Sequence, residues 1–292
     1  MITSPFSRPL LSRREALRLL AAGVAGSTLL PALAYAGSSD AVERGRIARI
    51  GLQLYTVRSA LSKDIEGTIA AVAAAGITEL EFAGYYNQSP AWWTELLKKH
   101  GLTAPATHEA LPATDSGWPA IFDRAKAMGH GIVIVPFVGP AYRGTRDNWM
   151  RLAERLNTGA QQAKTAGLQF AYHNHDFEFA PVESTTGYDI ITTQTDASLV
   201  KLELDMYWAV KAGHDPLAIM TKHPGRVICC HVKDASAAPE RTMLDVGAGT
   251  IDFKTLLAKG RTLGLEHWFI EHDQPTDPLA SIRVSAAAMR AY

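Results

Sequence analysis

The chain has 292 residues, 47% hydrophobic and 20% charged, and its 29 basic residues cancel its 29 acidic ones. This is an ordinary globular composition, long enough to bury the core of one large domain or two small ones. With no basic surplus the chain is not expected to take a nucleic-acid partner, and beyond residue 36 no stretch is long and apolar enough to span a membrane.

The first 36 residues read as an address. Arg13 and Arg14 stand in Ser12-Arg13-Arg14-Glu15-Ala16-Leu17-Arg18, an apolar run follows from Leu19 to Leu33, and Ala34-Tyr35-Ala36 is a small-x-small cleavage pattern. The arrangement resembles a twin-arginine export signal, with Ala16 where that pattern usually has Phe. Cleavage is expected before Gly37, with residues 37–46 as a linker and a periplasmic or exported mature protein. Export after folding suits a protein that loads a metal in the cytoplasm.

From residue 47 strand-like and helix-like segments alternate. Ile47–Tyr55 is strand-like, Asp64–Ala75 is helical with Gly76 as its stop, and Glu79–Phe82 is a short strand. Ala91–His100 and Trp118–Met128 are helices ending at Gly101 and Gly129, on either side of a strand at Thr103–His108. Ile132–Val138 is β-branched and strand-like, and Asp147–Ala166 is a long helix closed by Gly167. A strand from Gln169, a helix near Tyr188–Thr195, a strand from Val200, a helix at Pro216–His223 and a strand from Val227 follow. The chain closes with a helix at Phe253–Leu263, a strand from Trp268 and a helix from Pro278 to the end. Asp215 and Asp252 stand where helix caps belong. Cys229 and Cys230, the only cysteines, are neighbours in a strand, point to opposite faces and read as core thiols.

Eight strands, each followed by a helix, predict an α/β fold with a parallel sheet. Eight such units in residues 47–292 predict a single-domain (β/α)8 TIM barrel. A doubly wound open sheet is the rival, and no Gly-rich phosphate turn after the first strand supports it.

Four successive strands turn polar at their C-terminal ends. They run Gln169-Phe-Ala-Tyr-His-Asn-His-Asp-Phe-Glu178, Val200-Lys-Leu-Glu-Leu-Asp205, Val227-Ile-Cys-Cys-His-Val-Lys-Asp234 and Trp268-Phe-Ile-Glu-His-Asp273. Residues two apart share a face of a strand, so His231 and Lys233 point the same way. Active sites of such barrels sit at these ends. Glu178, Asp205, His231 and Glu271, one from each end, are therefore the candidate metal ligands. Carboxylate and imidazole without thiolate suit a divalent Mn, Zn, Mg, Co or Fe.

The chain resembles the xylose isomerase-like barrel superfamily, the sugar phosphate isomerases/epimerases. The motifs are Ile50–Arg58, Tyr172-His173-Asn174-His175 with Glu178, Leu204–Trp208, His231–Asp234, Val246–Phe253 and Ile270–Asp273. The resemblance implies one divalent metal held by Glu, Asp, His and Glu. Asp205, His231 and Glu271 carry over directly, while the strand-five donor is Glu178, His173 or His175. It also implies a small sugar or keto-sugar as substrate and an isomerase or epimerase that removes a proton beside a carbonyl polarised by the metal. Glu178 or Glu271 would be the base, and Lys233 would steady the enediolate or pair with a carboxylate. His108, His173 and His175 would bind hydroxyls, and Trp208 and Tyr55 would wall the sugar ring. The alternative is a lyase or hydrolase of keto-sugars or keto-inositols on the same site. A DNA-repair endonuclease and a non-catalytic sugar-binding module are the more distant alternatives.

Overall fold

The computed structural model describes residue 47 and residues 49–292. The export-signal and linker expectations lie outside the described residues.

Eight strands close into a barrel in chain order: β1 Gly51–Gln53, β2 Glu79–Phe82, β3 Thr103–His108, β4 Ile132–Val135, β5 Gln169–His173, β6 Val200–Asp205, β7 Val227–Val232 and β8 His267–Ile270. Each neighbouring pair is parallel, and β1 closes on β8 through Gly51 opposite Phe269. The helices between strands cover the outside, as a two-face-buried parallel sheet requires. The expected TIM barrel is the fold observed.

Local chemistry explains the boundaries. Asp64, Ser89 and Thr145 cap helices through side-chain oxygens that accept from the backbone N–H of Gly67, Trp92 and Asn148. The helices Trp118–Met128 and Arg146–Ala166 end at Gly129 and Gly167, both at φ 80°, where a Cβ would be strained. Asp215 and Asp252 cap the helices Pro216–Lys222 and Phe253–Thr262 as expected. Cys229 and Cys230 are buried free thiols.

Strand one is shorter than its apolar pattern suggests. The Gln53 side chain accepts from Tyr55 N–H at 3.0 Å and turns Leu54–Val57 into a 3-10 helix. The sequence also hid a helix at Met206–Lys211, started by Asp205 Oδ1 accepting from Trp208 N–H at 3.0 Å.

Inside the barrel, Ala106, Ala171, Cys229 and Phe269 are buried together. Each lies two residues before a polar one on the same strand face: His108, His173, His231 and Glu271. The apolar layer is therefore the floor beneath the polar one.

Candidate metal centre and active site

The polar layer holds two groups of donors that share His231. The inner group is His108, His173, Glu203 and His231, with Glu81 against it. Glu203 Oε2 lies 2.7 Å from His108 Nε2 and 3.0 Å from His173 Nδ1. Glu81 Oε2 lies 2.6 Å from His231 Nε2 and accepts from Gln53 Nε2 at 2.7 Å. The outer group is Asp205, His231 and Glu271, with His231 Nδ1 2.7 Å from Glu271 Oε2. Lys233 Nζ stands among three carboxylates, 2.9 Å from Asp205, 2.7 Å from Glu271 and 2.6 Å from Asp273.

Burial sharpens the electrostatics. It pushes the Asp205 carboxyl up to about 6 against the pull of Lys233 and His231. Burial, then the charge of Glu203, lifts Glu81 to about 7. Burial opposes the charge on His231, but Glu203, Glu271 and Glu81 outweigh it and hold the imidazole well above its usual value. Burial also works against Glu271, yet Lys233 and His231 hold that carboxyl well below the usual range. Lys233 is disfavoured by burial and stabilised by Asp205, Glu271 and Asp273, which keep it protonated.

A cation fits the outer group. Asp205, His231 and Glu271 each offer a donor within 4.8 Å of the others. Asp205 Oδ1 is spent on its helix cap, but Oδ2 is buried and accepts no hydrogen bond. Lys233 lies at ion-pair distance from that oxygen, outside hydrogen-bonding angles. His173 Nε2 points at it from 3.7 Å. Glu203 holds the other nitrogen of His173, and Glu81 that of His231, the arrangement by which carboxylates orient ligand histidines.

The structure does not bring Glu178 into either group. Tyr172 points outward into the layer between barrel and helices, and its hydroxyl donates to Glu178 Oε1 at 2.8 Å. The backbone N–H of His175 donates to Glu178 Oε2 at 2.7 Å, so both carboxylate oxygens are occupied behind the strand. Burial pushes Glu178 up to about 8. The strand-five residue that faces the donors is His173.

A cleft of about 460 Å³ opens above the outer group. Tyr55, His108, His173, His175, Lys233 and Glu271 line it, together with Phe137 and Asp273. His175 is neutral there, pushed down to about 3 by burial and by Lys233. Trp208 stands behind this wall, with its ring 5.6 Å from that of His175 and 5.8 Å from Lys233 Nζ. A larger depression of about 620 Å³ beside Lys63, Glu66 and Trp92 shares no residue with the cleft and contains none of these donors.

Glu81, Glu203, Asp273 and Phe137 were not among the sequence candidates. Glu203 was within reach, since it lies two residues before Asp205 on the same face of β6, whereas Asp273 lies past the end of β8. Glu81 sits in an ordinary short strand, and nothing local marks it.

Comparison with known proteins follows this geometry. Residues 69–292 match the family described as Xylose isomerase-like TIM barrel. The chain is 29% identical over 177 residues to an inosose dehydratase of Lacticaseibacillus casei, covering 51% of this chain and 59% of that relative. It thus spans less than two thirds of that protein. With an inosose dehydratase of Geobacillus thermodenitrificans it is 24% identical over 263 residues, covering 78% and 88%. A solved sugar phosphate isomerase/epimerase from Parabacteroides distasonis superposes with a TM-score of 0.74 at 23% identity, over 90% of this chain and 98% of that one. A protein solved with a binding zinc atom superposes at 0.64 and 14% identity, over 82% and 96%. At these identities the two structures speak for the fold alone.

Proposed function

The chain belongs to the Xylose isomerase-like TIM barrel family, and we propose that it is a lyase that removes water from a polyhydroxylated ketone, a keto-inositol or keto-sugar. This puts the lyase alternative ahead of the isomerase or epimerase expected from sequence. The relatives named inosose dehydratase support it. The observation that carries it is a facing base and acid. Glu271 at the end of β8 and His108 at the end of β3 line the same cleft. Elimination needs a base for the proton and an acid for the leaving hydroxyl, and the cleft offers both.

Glu271 is kept ionised, as a base must be. It takes the proton from the carbon beside the ketone. That electron pair forms the new double bond, and the C–O bond one carbon further breaks. His108 is disfavoured as a cation by burial, but Glu81 and Glu203 outweigh that and keep it charged, ready to protonate the departing oxygen. Lys233 neutralises the developing enolate. A divalent ion at Asp205, His231 and Glu271, with His173 as fourth donor, would polarise the ketone and acidify its neighbouring C–H. The mixed carboxylate and imidazole donors suit a divalent ion, Zn, Mn, Mg or Co. The twin-arginine pattern around Arg13 and Arg14 makes export the proposed destination.

The test is to incubate the metal-loaded protein with a panel of keto-inositols and keto-sugars and weigh the products. A product lighter by one water is expected. A product of unchanged mass with a moved carbonyl or an inverted carbon would make the protein an isomerase or epimerase.

A further inference from the structure

Sulfur is the part of this protein most open to an oxidant, and most of it is sealed away. Both cysteines, Cys229 and Cys230, are fully buried. Among the described residues Met128, Met206, Met220 and Met289 are buried as well. Only Met150 and Met243 are half-buried. Met150 sits on the helix Arg146–Ala166, outside the barrel. Met243 touches the site. Its Sδ accepts the backbone N–H of Asp273 at 3.2 Å. Asp273 lines the cleft, and its Oδ1 accepts from Lys233 Nζ at 2.6 Å. A thioether thus steadies the carboxylate that steadies the ammonium of the cleft.

The two sides of this contact differ in freedom. Met243 and Leu244 pair in an antiparallel ladder with Ala235 and Asp234. The Asp234 carboxylate fastens the base of that hairpin. Its Oδ2 accepts from Gly247 and Gly249 N–H at 3.0 Å, and its Oδ1 accepts from Ile251 N–H at 3.1 Å. Tyr207 holds the turn by donating its hydroxyl proton to the carbonyl of Arg241 at 3.0 Å. Asp273 lies in a bend after β8, in neither helix nor strand. If the contact fails, Asp273 is the side that moves.

We infer that Met243 is a modification site: hydrogen peroxide converts its thioether to the sulfoxide, and Asp273 is then released from Lys233. The sulfur lone pair toward Asp273 is covered by the N–H, so the oxidant meets the other one. That pair attacks a peroxide oxygen, the S–O bond forms and the O–O bond breaks. The departing hydroxide takes the proton left on the transferred oxygen, so the products are sulfoxide and water. Sulfur loses two electrons and the peroxide gains them. The new oxygen draws electron density from sulfur, which then no longer accepts the Asp273 N–H. Methionine sulfoxide reductases reverse the change. The inference rests on the place of Asp273 and Lys233 in the cleft and stands apart from the lyase reading.

The test treats the zinc-loaded full chain with hydrogen peroxide, zinc having no redox chemistry of its own. Peptide mass spectrometry should find one oxygen added at Met243. Hydrogen–deuterium exchange in the peptide that carries Asp273 should then quicken about tenfold, and turnover of a keto-inositol or keto-sugar should fall about tenfold, the scale of one lost hydrogen bond at a charged group. Zinc content should stay unchanged, and methionine sulfoxide reductases should restore both readings. Met150→Leu should respond to peroxide as the unaltered chain does. Met243→Leu keeps the bulk and removes the acceptor, so it should start near the rate of the oxidised chain and lose nothing further. A Met243→Leu variant that loses turnover to peroxide as the unaltered chain does overturns the inference. So does an oxidised Met243 with exchange at Asp273 unchanged. If the untreated chain turns over neither class of ketone, the lyase reading has failed, and the exchange measurement still decides this one.

Discussion

The floor and the mouth of the cleft are built on opposite principles. At the floor Asp205, His231, Lys233 and Glu271 are charged or chargeable and at most 5% exposed. At the mouth Tyr55 and Phe137 are apolar and 44% and 52% exposed. Each region inverts the usual rule for where polar and apolar side chains go. Charges act most strongly where water is excluded, so the reacting bond belongs at the floor. Aromatic faces recognise a ring most economically where a ligand enters, so selection belongs at the mouth. The two regions should therefore fail differently when altered.

The largest effect is expected at the floor. His231→Ala should empty the metal site and abolish turnover, read by metal analysis of the purified protein. It also leaves Glu81, Glu203 and Glu271 without their shared cation, so the metal-free variant should lose about 3 to 5 kcal/mol of stability. Full metal content in this variant would refute the donor assignment.

Glu271→Gln should lower kcat by about a hundredfold or more, the usual scale for a general base. Turnover of the unaltered chain in heavy water should leave deuterium on recovered substrate beside the carbonyl, and this variant should lose that exchange. Normal turnover in Glu271→Gln would move the base elsewhere. Lys233→Met should slow the reaction by about a hundredfold while the protein keeps its metal, because one cation is removed from the developing enolate. Loss of metal there would make Lys233 a structural member of the centre.

A smaller effect marks the mouth. Tyr55→Ala should raise KM by roughly threefold to tenfold with kcat little changed, as the loss of one aromatic contact predicts. A fall in kcat as large as that of Lys233→Met would mean that mouth and floor are not separable.

The smallest effect on turnover is expected behind the strand, at Glu178. Its folded value of about 8 lies above the ordinary 4.5, so between those pH values the folded protein holds a proton that the unfolded chain has released. That contribution is fully present below the unfolded value and is lost as pH rises through the folded one, so stability should fall with rising pH across this window. Glu178→Gln should flatten the decline in thermal midpoint, leaving metal content and turnover near normal. Loss of the metal would restore Glu178 as a ligand.

Much of this was legible in the chain before folding. The alternation of short apolar strands with glycine-stopped helices determined the barrel, because each segment carries its own periodicity and stop signal. The polar ends of strands six, seven and eight determined Asp205, His231 and Glu271, because residues two apart in a strand share a face whatever surrounds them. Only the tertiary structure decided the rest. Glu81 and His231 are 150 residues apart and meet because the barrel closes, a contact that no spacing rule within one strand encodes. His173 and Glu178 looked equivalent in sequence, but one side chain faces the barrel interior and the other turns back under Tyr172. The chain beyond β5 leaves the strand geometry, and there the two-residue rule no longer says which way a carboxylate points.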